Sequence, residues 1–60
     1  ALREQGRLHD AIGVFRQAIQ TDPRAARTYF LLGKAYQSLG DTTRAVQAFH
    51  RYEELARGGE

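Results

Sequence analysis

Two histidines and one serine are the side chains best suited to chemistry in this sequence, which contains no cysteine. His9 and His50 lie far apart, on what the pattern predicts to be different helices. Zinc sites need three or four converging ligands, so two separated histidines do not predict a metal site. Ser38 has no base near it in sequence, and the GxSxG, Walker and HExxH patterns are absent. We therefore expect no catalytic residue, no cofactor, no metal and no enzyme activity.

The cationic side chains are spread along the whole sequence, and the net charge is only +2. They are Arg3, Arg7, Arg16, Arg24, Arg27, Lys34, Arg44, Arg51 and Arg57. Proteins that bind nucleic acid usually concentrate their cations on one face. This distribution therefore predicts an ordinary solvated surface and no nucleic-acid partner. The strong excess of arginine over lysine is typical of GC-rich bacterial genomes, so a bacterial source is expected.

The apolar residues occur in short runs, and none approaches the roughly 20 residues that cross a bilayer. The sequence also opens without a basic-then-apolar signal segment. We therefore expect no membrane partner. The absence of cysteine fits a reducing compartment, so a cytoplasmic location is expected.

Helical periodicity organises the sequence into three main helices. The clearest stripe is Tyr29, Leu32 and Tyr36, which share one side of a helix; Gly40 is then suited to a left-handed C-cap and Asp41 to a new N-cap. The predicted helices cover 8–21, 24–39 and 42–57, and a short N-terminal helical tail covers 1–5 and ends at Gly6. Between the first two helices, an Asp-Pro pair at 22–23 is expected to cap and start the second one.

The sequence resembles itself at an offset of 34 residues. Four pairs are identical at this offset, and each is suited to a structural role, in a helix tail, a turn glycine, a small contact residue or a core aromatic. They are Ala1 with Ala35, Gly6 with Gly40, Ala11 with Ala45, and Phe15 with Phe49. Matches restricted to such positions indicate a degenerate structural repeat.

A helix–turn–helix repeat with this period resembles the tetratricopeptide repeat, whose pattern is W-x₂-L-G-x₂-Y…A-x₃-F…P. The residues that carry the resemblance are Tyr29, Leu32, Gly33 and Tyr36, then Ala45 and Phe49, and from the earlier copy Ala11, Phe15 and Pro23. The resemblance implies an all-α fold of antiparallel helix–turn–helix repeats of the α-solenoid type. It also implies a single domain over 1–60, with the end of one repeat at 1–23, a full repeat at 24–57 and a frayed tail at 58–60.

Members of this family bind peptides or proteins along a surface that the first helix of each repeat lines. The corresponding residues here are Arg27, Phe30, Leu31, Lys34, Gln37 and Ser38. Arg27 and Lys34 are suited to attract an acidic peptide or a C-terminal carboxylate. The alternative is that both are solvated charges and that Phe30 and Leu31 are partly buried by a neighbouring helix. Because the sequence has no asparagine, a dicarboxylate clamp of the kind some relatives use is not expected.

Departures from the repeat pattern favour a second function, self-association as a homodimer or higher homo-oligomer. The sequence holds about one and two-thirds repeats, whereas such repeats generally need about three units to bury a continuous core. Tyr52 stands where the earlier copy has the small Ala18, and Arg57 stands in place of the proline. A second copy is therefore expected to cover the apolar side chains left at the two ends, Ala11, Phe15, Ala18, Tyr52 and Leu55.

A three-helix DNA-binding domain of helix-turn-helix type is the third alternative. Three helices, a short turn and a basic charge balance are compatible with it. The 34-residue period argues against it, and so do Glu53 and Glu54, which its recognition helix would carry. The leading prediction therefore remains a protein–protein interaction module that acts as an adaptor or scaffold.

Overall fold

Residues 2–58 form three α-helices joined by short turns. The computed structural model describes residues 2–58, with side chains from residue 5 onward. The helices are α1, Leu2–Thr21; α2, Ala26–Leu39; and α3, Thr42–Ala56. The predicted all-α fold with antiparallel helix–turn–helix geometry is confirmed. Ala1 and the predicted frayed residues 59–60 lie outside the described part of the chain.

Helix α1 differs from the prediction, because it runs through Gly6 without a break. The predicted N-terminal helical tail is therefore the first part of α1 and not a separate element. The residue that follows the glycine explains why the chain turns at Gly40 but not at Gly6. Gly40 is followed by Asp41, which can cap a new helix, whereas Gly6 is followed by Arg7, whose side chain has no acceptor for a backbone N–H. Without a capping acceptor, nothing favours an interruption at Gly6.

The turn between α1 and α2 differs in detail from the predicted cap. Asp22 Oδ1 accepts a hydrogen bond from Arg24 N at 3.2 Å, and the Asp22 carbonyl accepts one from Ala25 N at 3.1 Å. Asp22 therefore stabilises a turn of its own instead of capping α2. The residue at the N-cap is Ala25, which makes no side-chain capping bond, and α2 begins two residues later than predicted.

The turn between α2 and α3 has the predicted capping geometry. Gly40 is in the left-handed region with φ 86°, and its N–H donates to the Gln37 carbonyl at 3.0 Å. Asp41 N donates to the Tyr36 carbonyl at 2.9 Å, so two of the last carbonyls of α2 are satisfied by this turn. Asp41 Oδ1 then accepts from Arg44 N at 3.3 Å and caps α3.

Helix α2 is the centre of the fold and packs against both other helices, whereas the Cα atoms of α1 and α3 nowhere approach within 8 Å. The core is small because a chain of this length has little interior. Its buried cluster is Ile12, Leu32, Ala35 and Ala48, and the half-buried side chains around it are Leu8, Phe15, Ile19, Tyr36 and Leu39.

Gly33 of α2 is buried and lies directly under the ring of Phe49 of α3. A Cβ atom placed on Gly33 would lie 2.7–2.9 Å from three atoms of that ring. Carbon atoms in ordinary contact are about 3.5–4.0 Å apart, so no side chain fits there without a shift. The small residue and the aromatic ring predicted at these two positions therefore face each other directly.

Candidate protein-interaction surfaces

One side of α2 is exposed along the length of the helix and is called here the outward face of α2. It consists of the six residues predicted to line a binding surface, Arg27, Phe30, Leu31, Lys34, Gln37 and Ser38, and all six are exposed. Their spacings of three, four and seven residues place them on one side of the helix, opposite the Tyr29 and Tyr36 stripe. The helical period therefore brings the predicted residues together.

Aromatic contacts fix the position of Phe30 at the edge of the outward face. Its ring centroid lies 5.8 Å from that of Phe49 and 5.1 Å from that of Tyr52, and both pairs are tilted. Such separations are favourable for aromatic pairs. The ring still exposes 38% of its surface. Phe30 thus offers an apolar contact whose conformation α3 has already restricted.

Lys34 places its Nζ atom 5.5 Å from the centroid of the Phe30 ring. This distance is within the range of a cation–π interaction. Arg27 lies seven residues earlier, about 10 Å along the same side of α2. Between the two cations Leu31 exposes 39% of its surface. The outward face therefore combines two positive charges with apolar surface, as a binding site for an acidic and partly apolar peptide requires.

The residues predicted for self-association lie at two separate places. Ala11, Phe15 and Ala18 are on α1, and Tyr52 and Leu55 are on α3; all are half-buried. Phe15 packs against the core, and the Tyr52 ring contacts Phe30.

Sequence reasoning missed Val14, which is 64% exposed. Val14 lies three residues after Ala11 and four before Ala18, so the helical period was the signal that could have found it. We call the surface of Ala11, Val14 and Ala18 the α1 face.

Two contacts between polar side chains of α3 lie on its exposed surface. His50 Nδ1 lies 3.7 Å from Glu54 Oε2, and Arg51 Nη1 lies 3.4 Å from Glu54 Oε1. The contact between His50 and Glu54 was not predicted from the sequence, although a spacing of four residues on a helix is the usual signal for such a contact. Exposed pairs of this kind contribute little to stability. Among the side chains described for residues 5–58, no group of three potential metal ligands from His, Cys, Asp and Glu comes together.

Comparisons with known proteins agree with the repeat pattern. A family model described as TPR repeat matches residues 1–40, and one described as tetratricopeptide repeat matches residues 26–58. No match was found among the curated proteins or the solved structures. None of the described helices is long and apolar enough to cross a membrane. Since the first match alone covers more than half of the 60 residues, and the helices have the geometry that the repeat pattern predicts, the chain belongs to the tetratricopeptide repeat family.

Proposed function

We propose that the outward face of α2 binds an acidic segment or the C-terminal carboxylate of a partner protein, as part of an adaptor or scaffold. Tetratricopeptide repeats are generally protein–protein interaction modules. The observation that carries the finer proposal is the exposure of all six predicted residues on one side of α2. Neither Arg27 nor Lys34 has an ion-pair partner in the described part of the chain, so their charges are available to a ligand.

Aromatic and charged groups have different roles in this proposal. Phe30 is held by two rings of α3, so little side-chain entropy is lost when a ligand contacts it. Arg27 presents a planar guanidinium that can hold a carboxylate through two hydrogen bonds. Lys34 supplies a second, single-point charge farther along the helix. The combination favours a ligand with at least two negative charges about 10 Å apart.

The test is binding of a fluorescent peptide that ends in several glutamates and a free carboxylate, followed by fluorescence anisotropy. We expect Arg27→Gln and Lys34→Gln each to weaken binding about three- to tenfold, or about 0.6–1.4 kcal/mol, because each removes one exposed charge contact. Arg7→Gln is the matched control, since Arg7 is an exposed arginine on α1. Equal affinities for all three variants would rule out this surface as the binding site.

Self-association through the α1 face is a second candidate function, and one comparison within the molecule favours it. Ala48 occupies the position 34 residues after Val14 and is only 5% exposed, because α2 covers it. Val14 is 64% exposed, because no described helix covers the same side of α1. A second copy docked there would bury apolar surface that α1 leaves in solvent.

Light scattering over a concentration series tests this second candidate. We expect the mass to rise from 6.8 kDa toward twice that value with concentration, and Val14→Glu to keep the chain monomeric because it places a charge in the contact. Val46→Glu is the control, since Val46 is a similarly exposed valine on α3, at 59%. A monomeric mass at every concentration would remove self-association from consideration.

A further inference from the structure

A groove lies between α1 and α3 on the side of α2 opposite its outward face. It forms because both helices pack against α2 while their Cα atoms stay more than 8 Å apart. Its volume is about 450 Å³. The residues that line it are Arg16, Tyr29, Leu32, Tyr36, Arg44, Gln47, Ala48 and Arg51, and we call it the arginine groove.

The arginine groove has an aromatic and apolar floor between cationic walls. Tyr29, Leu32 and Tyr36 follow each other along one stripe of α2 and form the floor. Arg44 and Arg51 lie two helical turns apart on the α3 wall, about 10 Å along its axis. The α1 wall contributes Arg16. Three elements far apart in sequence therefore supply the lining.

The lining carries three positive charges and no carboxylate. Arg44 pairs with Asp41 at 3.5 Å and Arg51 with Glu54 at 3.4 Å, but both pairs are on the surface and each joins residues three apart on or beside the same helix. Such exposed pairs are weak and exchange readily for a better acceptor. Arg16 has no ion-pair partner within the part of the chain that the structure describes. The residues that line the groove therefore carry a net positive charge, and Arg16 contributes a charge that no carboxylate of the described residues pairs with.

We propose that the arginine groove binds an acidic segment of a partner protein, with carboxylates facing both walls and an apolar side chain toward Leu32 and Ala48. Guanidinium groups match carboxylates through paired hydrogen bonds, and the two tyrosines of the floor carry hydroxyls that can donate to the same ligand. Leu32 and Ala48 are the aliphatic residues of the lining, so an apolar side chain of the ligand is placed against them.

A protein segment fits this charge pattern better than a nucleic acid. The three arginines stand on opposing walls, which suits a peptide whose acidic side chains alternate in direction. A nucleic-acid strand needs a continuous cationic track along its phosphates, whereas Asp41 and Glu54 stand beside two of these arginines. This site does not depend on the proposed function of the outward face of α2, because the two surfaces share no residue.

The test is titration of the chain with a labelled peptide of alternating glutamate and leucine, with a glutamine-for-glutamate peptide as the ligand control. We expect Arg16→Gln and Arg51→Gln each to weaken binding of the acidic peptide about three- to tenfold, and added salt to weaken it further. Arg7→Gln, which changes an exposed arginine on the same helix as Arg16, is expected to leave the affinity for the acidic peptide unchanged.

Nuclear magnetic resonance of the unaltered chain gives a second measurement that needs no substitution. Binding in the arginine groove is expected to shift the ring signals of Tyr29 and Tyr36 to a saturable endpoint. Three results would each overturn the proposal. The first is equal affinity for the acidic peptide and for its glutamine control. The second is a loss of acidic-peptide binding with Arg27→Gln but not with Arg16→Gln. The third is a single-stranded oligonucleotide that binds more tightly than the acidic peptide and no longer binds after Arg16→Gln or Arg51→Gln.

Discussion

Phe49→Ala is expected to lower the free energy of unfolding by about 3 kcal/mol. This is the lower end of the range of about 3–5 kcal/mol for Phe→Ala, because the ring is half-buried. The ring lies directly over Gly33 and packs at a tilt against Phe30, so its removal opens a cavity between α2 and α3. A chain of this length has a total stability of roughly 3–9 kcal/mol. Urea denaturation followed by far-UV circular dichroism measures the loss.

Val46→Ala is the matched control for Phe49→Ala. Val46 lies one helical turn before Phe49 on the same helix, but 59% of its surface is exposed. Its truncation removes little buried surface, and we expect a change within about 0.5 kcal/mol. Phe49→Leu keeps part of the apolar volume and is expected to lose less than Phe49→Ala. If Phe49→Ala and Val46→Ala had the same urea midpoint, the aromatic contact between α2 and α3 would not be a main source of stability.

Gly33→Ala is expected to destabilise the fold by about 1–3 kcal/mol, as overpacking of a filled contact usually does. The added methyl group would lie within 2.9 Å of three ring atoms of Phe49. That ring cannot turn aside freely, because Phe30 packs against it. The clash outweighs the gain of up to about 1 kcal/mol that alanine brings over glycine inside a helix. Thermal unfolding compared with the unaltered chain measures the net effect.

Gly13→Ala is the same substitution as Gly33→Ala at a different place, and we expect it to stabilise the fold. Gly13 is inside α1, is exposed, and has nothing within 4 Å of the position a Cβ would take. Only the propensity gain remains there, so we expect stabilisation of about 0.5–1 kcal/mol.

A double variant that combines Gly33→Ala with Phe49→Ala tests the cause of the cost at Gly33. The cost of Gly33→Ala should disappear in it, because the ring that clashes with the added methyl group is gone. A cost that persists in the double variant would show that the ring is not its cause.

Local signals predicted the second turn and the helices beside it. Gly40 and Asp41 combine a residue that readily adopts positive φ with one that can cap a helix, and both interactions are made by neighbours within four residues in sequence. The same locality explains why the outward face of α2 was predictable. Its six residues belong to one helix, so the helical period alone places them on one side.

The sequence predicted the ends of helices less well where two local backbone conformations have similar free energies. A helical tail was predicted to end at Gly6, yet the helix continues through Gly6 with Arg7 after it. A glycine weakens a helix by only about 1 kcal/mol, so a helix can continue through it. The same reasoning applies to the first turn, where the Asp22 side chain bonds within its own turn and not to the start of α2.

The sequence by itself determined the helices, the sharp turn at Gly40, the 34-residue period and, through that period, the family. Only the tertiary structure decided which apolar side chains are buried. Ile12 and Val46 are alike and stand 34 residues apart, but Ile12 is 7% exposed and Val46 is 59% exposed. The reason is that burial depends on the surface packed opposite a residue. Helix α2 covers Ile12, and no described helix covers Val46. The arginine groove has the same origin, because its three cations meet only when α1 and α3 pack on either side of α2.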